Sequence, residues 1–134
     1  MQRYFLPYAA TTLVMFVVDM LWLGVIAKPI YERGLAHLLA AQPNWLAALL
    51  FYVIYPAGLM VFAVQPSLQS GARRSSLIAG GMFGFFAYAT YDLTNLATLN
   101  GWPVGLSVLD IAWGAVLSST ASAAGAWTQR RFCR

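Results

Sequence analysis

The chain has 134 residues, of which 60% are hydrophobic and 9% charged, and its mean hydropathy is +0.67. About a quarter of the residues in a soluble domain are charged, so this composition excludes a soluble enzyme or binding module and leaves one small integral membrane domain, residues 1–134. The net charge of +4 does not indicate nucleic acid, because the basic residues stand at the ends of apolar runs, where they set membrane orientation.

The first apolar run, residues 5–26, follows Arg3. Asp19 and Trp22 occupy the place of a signal-peptide cleavage region, so the run is expected to be a transmembrane helix. In residues 27–44, Lys28, Glu32, Arg33 and His37 alternate with Ile30, Gly34, Leu35 and Leu38 at helical spacing. Pro29 suits a helix start and Pro43 follows its end, which predicts a short amphipathic helix lying on the membrane surface against lipid headgroups. Runs 45–64, 77–99 and 106–127 are each long enough to cross a bilayer at about 1.5 Å per residue. Pro56 should kink the second span by freeing the Tyr52 carbonyl. Residues 65–74 are expected to form a polar, basic loop, and Asn100-Gly101-Trp102-Pro103 a tight turn that makes the last two spans a hairpin. The expected fold is all-α, an integral membrane four-helix bundle.

With four spans, Arg3, Arg73, Arg74, Arg130, Arg131 and Arg134 share one side, and the other side has only Lys28 and Arg33. That bias places both termini in the cytoplasm, with Trp45 and Trp102 at the outer interface and Tyr4 and Trp127 at the inner one. Cys133 is the lone cysteine, so no disulfide within the chain can form, and it is expected to be a reduced cytosolic thiol.

Three of the four carboxylates, Asp19, Asp92 and Asp110, fall inside spans. An acid in hydrocarbon costs roughly 2.5–3.5 kcal/mol on insertion scales, which makes each a candidate functional residue. Counting residues from the outer ends of their helices puts them about 10, 10 and 6 Å deep, nearly one level. Asp110 lies on the stripe Gly114, Ser118, Ser122, Ala126, a small-residue face on which membrane helices approach closely. Asp92 shares a face with Gly81, Gly84, Tyr88 and Asn95, beside the Gly80-x-x-x-Gly84 spacing, and Asp19 shares one with Thr12 and Trp22. The segments Asp19-x-x-Trp22 and Asp110-x-x-Trp113 echo each other, either as a relic of inverted duplication or by chance. Helical i, i+3 spacing predicts that each indole flanks its own carboxylate.

Such a constellation can act as a general acid, since neighbouring carboxyls at low dielectric share a proton rather than both ionise. It can also bind a cation between carboxylates and indole faces. Metal binding is not expected, because hard ions prefer more oxygen ligands and His37 is the only imidazole. The plain structural alternative is that the acids clip helices together by hydrogen bonds worth under about 1 kcal/mol each. Thr94 and Thr98 are expected to back-bond to their own helix. His37, Lys28 and Arg33 are counter-ions or a lid above the acids, or simply a solvated face.

The runs Asp19-x-x-Trp22-Leu23-Gly24, Pro29-Ile30-Tyr31, Tyr91-Asp92-Leu93-Thr94-Asn95, Gly101-Trp102-Pro103 and Asp110-x-x-Trp113-Gly114 together resemble the bacterial membrane proteins of domain-of-unknown-function family 2177. The resemblance extends over nearly the whole chain and implies a four-helix protein of the bacterial inner membrane. It implies no activity, so function is argued from the residues. The site expected is built from Asp92, Asp19, Asp110 and Asn95, with Asp92 as general acid oriented by Asn95. Trp22, Trp113, Tyr88, Tyr55 and His37 would contact the substrate, a lipid-soluble or amphipathic molecule that is bound and isomerised or cyclised. Membrane lipid is the expected surrounding partner. No nucleotide or metal motif occurs, so no cofactor is expected. The alternatives are a proton- or cation-coupled transporter working as a homodimer through the Gly80-x-x-x-Gly84 face, and a non-catalytic accessory subunit.

Overall fold

In a computed structural model, which describes residues 2–72 and 74–133, the polypeptide is helical and no strand occurs among the described residues. Arg73 and Arg134, two of the six arginines expected to orient the chain, lie outside them. Helix α1 (Gln2–Leu21) runs into a π-helical turn, Trp22–Ile26, and is followed by α2 (Lys28–Leu35). Helix α3 (Trp45–Leu59) likewise passes through a π-helical turn, Met60–Val64, into α4 (Gln65–Ser70). Helices α5 (Ser75–Thr98) and α6 (Val104–Phe132) form the hairpin.

Three continuous helical stretches are long and apolar enough to cross a membrane: Arg3–Ile26, Trp45–Ser70 and Val104–Phe132. Helix α5 has the length, 24 residues, but its run of Thr90, Asp92, Thr94, Asn95 and Thr98 dilutes its apolarity. The threonine hydroxyls donate to carbonyls four residues back, at 2.7, 2.6 and 2.7 Å, which satisfies them within the helix, as expected for Thr94 and Thr98. Large apolar side chains such as Phe5, Leu13, Trp45, Ile54, Phe62 and Trp127 point outward, as in a molecule whose solvent is lipid.

Two expectations about the connections are corrected. Residues 65–70 are not loop but helix: Pro66 is tolerated in the first turn, and Gly71, at φ +71°, ends it in the left-handed region. The Arg130 Nη2 donates to the carbonyls of Ser67 and Ala72 at 3.1 and 3.2 Å, so this arginine also closes the end of α4. The second correction concerns the surface helix. It is short, ending at Leu35 where a helix up to Pro43 was expected, and its inward face is Ala27, Tyr31 and Leu35, whereas Ile30 and Leu38 are exposed. The cause is the π-helical turn. The Ala27 N–H reaches five residues back to the Trp22 carbonyl, at 2.7 Å. One extra residue per turn delays the inward position by one. The buried series runs Thr11, Met15, Asp19, Trp22, then Ala27.

Helix α6 is the centre of the assembly, with α5 on one side and α1 on the other. Its neighbours come so close that side chains are excluded. A Cβ on Gly84 would sit 2.0 Å from the Gly114 carbonyl oxygen, one on Gly80 2.5 Å from Ser122 Oγ, and one on Gly125 2.1 Å from Thr11 Oγ1. The Gly80-x-x-x-Gly84 face is thus occupied by α6 and is not free for a second copy. The approach of Thr11 to Gly125 and of Asp19 to Trp113 makes α1 and α6 antiparallel. Met15, Leu59, Leu117 and Ala121 fill the core between α1, α3 and α6.

Candidate functional site

The three buried acids meet at the end of the molecule that carries α2 and the α5–α6 turn. Asp19, near the end of α1, accepts a hydrogen bond from the Tyr52 hydroxyl at 2.5 Å on one oxygen and from the Trp113 indole N–H at 3.3 Å on the other. Asp110, in the second turn of α6, accepts from the hydroxyl of Tyr31. Asp92 comes from α5 and is completely buried, at 0% exposure. No hydrogen bond of normal geometry reaches either of its oxygens. The Asp110 carboxyl and the Trp102 indole N–H stand close to it, short of normal hydrogen-bond geometry, and the charge of Asp110 also acts on Asp19.

Indoles and phenols wall this cluster. Trp22 and Trp113 stack face to face, centroids 4.3 Å apart and planes 6° from parallel. The echoed Asp-x-x-Trp motifs therefore pair across helices: Trp113 serves the carboxylate of α1, and Trp22 packs on Trp113. The Trp113 N–H thus bonds the acid of the other helix rather than the one in its own motif, because the helices are antiparallel and in contact at this level. The Trp22 N–H is buried near the Tyr31 hydroxyl, without a partner at normal geometry. Tyr88 lies over Gly114, where a Cβ would fall 2.2 Å from its Cγ, and it meets the Tyr55 ring edge to face at 6.2 Å. The Tyr55 hydroxyl is 2.7 Å from Ser118 Oγ. Trp102 and Tyr91 meet edge to face at 5.8 Å near Asp92, and the Trp102 N–H donates to Ser107 Oγ at 2.9 Å.

Two residues of the expected site are placed differently. Asn95 is half-buried and makes no hydrogen bond to Asp92, and its amide lies by Tyr91 instead. His37 is exposed beyond the end of α2, with Nε2 2.9 Å from where a Cβ on Gly101 would lie, over the α5–α6 turn and not among the acids. Conversely, Tyr31, Tyr52 and Trp102 hold or flank the acids and were not expected there. Tyr31 had a signal: it lies four residues before Leu35, on one helical face with it. Burial pushes the Tyr31 phenol above its ordinary pKa, and the adjacent Asp110 carboxylate adds to the rise, so the hydroxyl remains a donor.

Among the described residues no positive side chain forms an ion pair with the three acids. Among the described residues the one ion pair is Lys28–Glu32, at 3.9 Å, on the exposed side of α2. Nor do any three His, Cys, Asp or Glu among them come together as a metal site. The chemistry available is that of buried carboxyls among phenols and indoles.

No curated protein and no solved structure matches this sequence. One family does, over residues 4–127 and thus nearly the full length, and its description is a predicted membrane protein. The chain belongs to domain-of-unknown-function family 2177 (DUF2177).

Proposed function

We propose that this membrane protein binds a lipid-soluble molecule at the acid cluster and transforms it by proton transfer, with Asp92 as the acid. The observation that carries this reading is the Asp92 carboxyl, fully buried with neither oxygen hydrogen-bonded. A buried polar group left unpaired costs free energy, and such groups concentrate where function requires them. Asp19, held by Tyr52 and Trp113, and Asp110, held by Tyr31, are the carboxylates that have donors. In the reaction Asp92 gives its proton to an unsaturated carbon of the substrate. A neighbouring carboxylate and the indole faces stabilise the positive charge that develops, and loss of a proton from an adjacent carbon to a carboxylate restores neutrality. Isomerisation and cyclisation both balance in this way, without a cofactor.

All four long helices cross the bilayer in this proposal, α5 shielded by α6 and its neighbours, and form a four-helix bundle. Both termini lie in the bacterial cytoplasm, which puts the acid cluster in the outer leaflet half. A membrane-impermeant maleimide tests the orientation through Cys133, the only cysteine. It labels inverted vesicles and spares right-side-out cells.

Dicyclohexylcarbodiimide, which enters lipid and adds to protonated carboxyls, tests the site. Peptide mass spectrometry should find the adduct on Asp92, and an adduct confined to Asp19 or Asp110 would overturn the assignment. In cells, Asp92→Asn should accumulate the substrate isomer in comparative lipid profiles. Proton-dependent flux in vesicles that is lost in Asp92→Asn would instead make the same carboxyl the coupling site of a transporter.

A further inference from the structure

The cluster has an uneven supply of donors, and this bears on what it takes up. Asp19 receives two donors and Asp110 one, whereas Asp92 receives none of normal geometry. Asp92, which holds the proton, and the Asp110 carboxylate are close enough to act on one another, and among the described residues no ion pair answers them. The rings of Trp102 and Tyr91 stand against this pair at 5.8 Å from one another. The unmet requirement at this end is therefore a hydrogen-bond donor for Asp92 and a positive charge for Asp110, beside aromatic faces.

Resting on the acid-site reading above, we infer that the Asp92–Asp110 end is a recognition subsite for a lipophilic ammonium group bearing at least one N–H. The N–H donates to the carbonyl oxygen of the protonated Asp92, and the Asp110 carboxylate answers the charge. The Trp102 and Tyr91 rings solvate the alkyl groups next to the nitrogen. An alcohol offers one hydrogen and no charge, which leaves the Asp110 carboxylate unanswered. A quaternary ammonium carries the charge but cannot donate. A divalent metal lacks its ligands, since no suitable trio of side chains occurs among the described residues. A substrate with such a group, or a neutral one that becomes cationic along the reaction, presents its positive centre where the carboxylates already lie.

The test compares three probes that share one twelve-carbon chain, bound to the full-length protein in maltoside micelles at pH 7 and followed by native mass spectrometry. Dodecyldimethylamine, protonated at that pH, should bind about tenfold more tightly than dodecyltrimethylammonium and than dodecanol, which is the scale of one charge-assisted hydrogen bond. Asp110→Asn, which removes the charge, should abolish the preference over dodecanol, and Asp92→Leu, which removes the acceptor, the preference over the trimethylammonium probe. Trp102→Phe, which leaves every acid in place, should weaken the amine a few-fold and dodecanol not at all. Equal binding of dodecanol and the amine would overturn the inference. So would equal binding of the trimethylammonium probe, because the N–H would then be irrelevant. Persistent carbodiimide labelling of Asp92 in either case would leave the acid site standing while the ammonium subsite falls. Loss of both would take down the two together.

Discussion

Helix α6 has two regions of opposite character. From Gly114 to Ala126 it is a packing surface: glycines and serines admit α5 and α1 to distances that a single Cβ would violate. Its hydroxyls mostly find partners, Ser118 with Tyr55 at 2.7 Å and Ser119 with the Leu77 carbonyl at 2.6 Å, and only Ser122 Oγ goes without. From Asp110 to Trp113 the same helix carries an acid and an indole in a cluster where Asp92 and the Trp22 N–H are unmet. An unpaired hydroxyl is a modest cost, but a carboxyl with neither oxygen paired is not. The contrast separates residues that hold the helices together from residues retained in spite of holding nothing.

Substitutions in the two regions should therefore differ in sign as well as size. The largest effect is expected from Gly84→Ala. Its methyl meets the backbone of Gly114, which cannot swing away, and the loss should reach at least about 3 kcal/mol, the upper end of overpacking costs. Thermal unfolding in detergent measures it. Tyr31→Phe should cost about 1–3 kcal/mol by leaving Asp110 without its donor. The pH dependence has a definite sign. Because the folded protein raises the pKa of this phenol, its contribution is complete below the unfolded value of about 10 and is lost as pH climbs through the folded one. The stability gap between wild type and Tyr31→Phe should hence be flat from pH 7 to about 10 and shrink above it. Tyr55→Phe removes a single neutral hydrogen bond and should cost about 0.6 kcal/mol, best isolated in a double-mutant cycle with Ser118→Ala. Asp92→Asn is expected to change stability by less than about 0.5 kcal/mol, or to increase it, while abolishing carbodiimide labelling. A loss at Asp92 as large as that at Gly84 would erase the distinction between the regions.

Much of this was legible in the sequence, for identifiable reasons. The helices follow from apolar runs bounded by Pro, Gly and Arg, and the close approach at Gly80 and Gly84 from the spacing of small residues. The meeting of three acids follows from counting residues along helices of known rise. What was hidden depends on phase and on partners far along the chain. The π-helical turn at Trp22–Ile26 leaves no compositional trace, so the stripe through Ile30 and Leu38 pointed one residue off the true face. The donors of Asp19 come from positions 33 and 94 residues away, and no local periodicity encodes such a pairing. The Asp-x-x-Trp spacing identified the right residues and the wrong partners, since neighbours on one helix compete with neighbours on the antiparallel helix against it. Asn95 has the right spacing from Asp92 but spends its amide beside Tyr91.

The wide turn after α1 also gives the molecule one place where a residue can be lost without losing the site. Removing a single codon between Leu23 and Ile26 would leave an apolar span of nearly unchanged length and greasiness, well able to insert. It would also let the turn revert to ordinary α-helical winding, and because the turn holds one residue more than an α-helical one, the two changes cancel in phase. Tyr31 would keep its place against Asp110. The same deletion in the regular winding between Thr11 and Met15 would instead rotate everything beyond it by about 100°. That second protein should carry the Tyr31→Phe defect with every residue of the acid cluster still encoded, whereas the first should match the wild type.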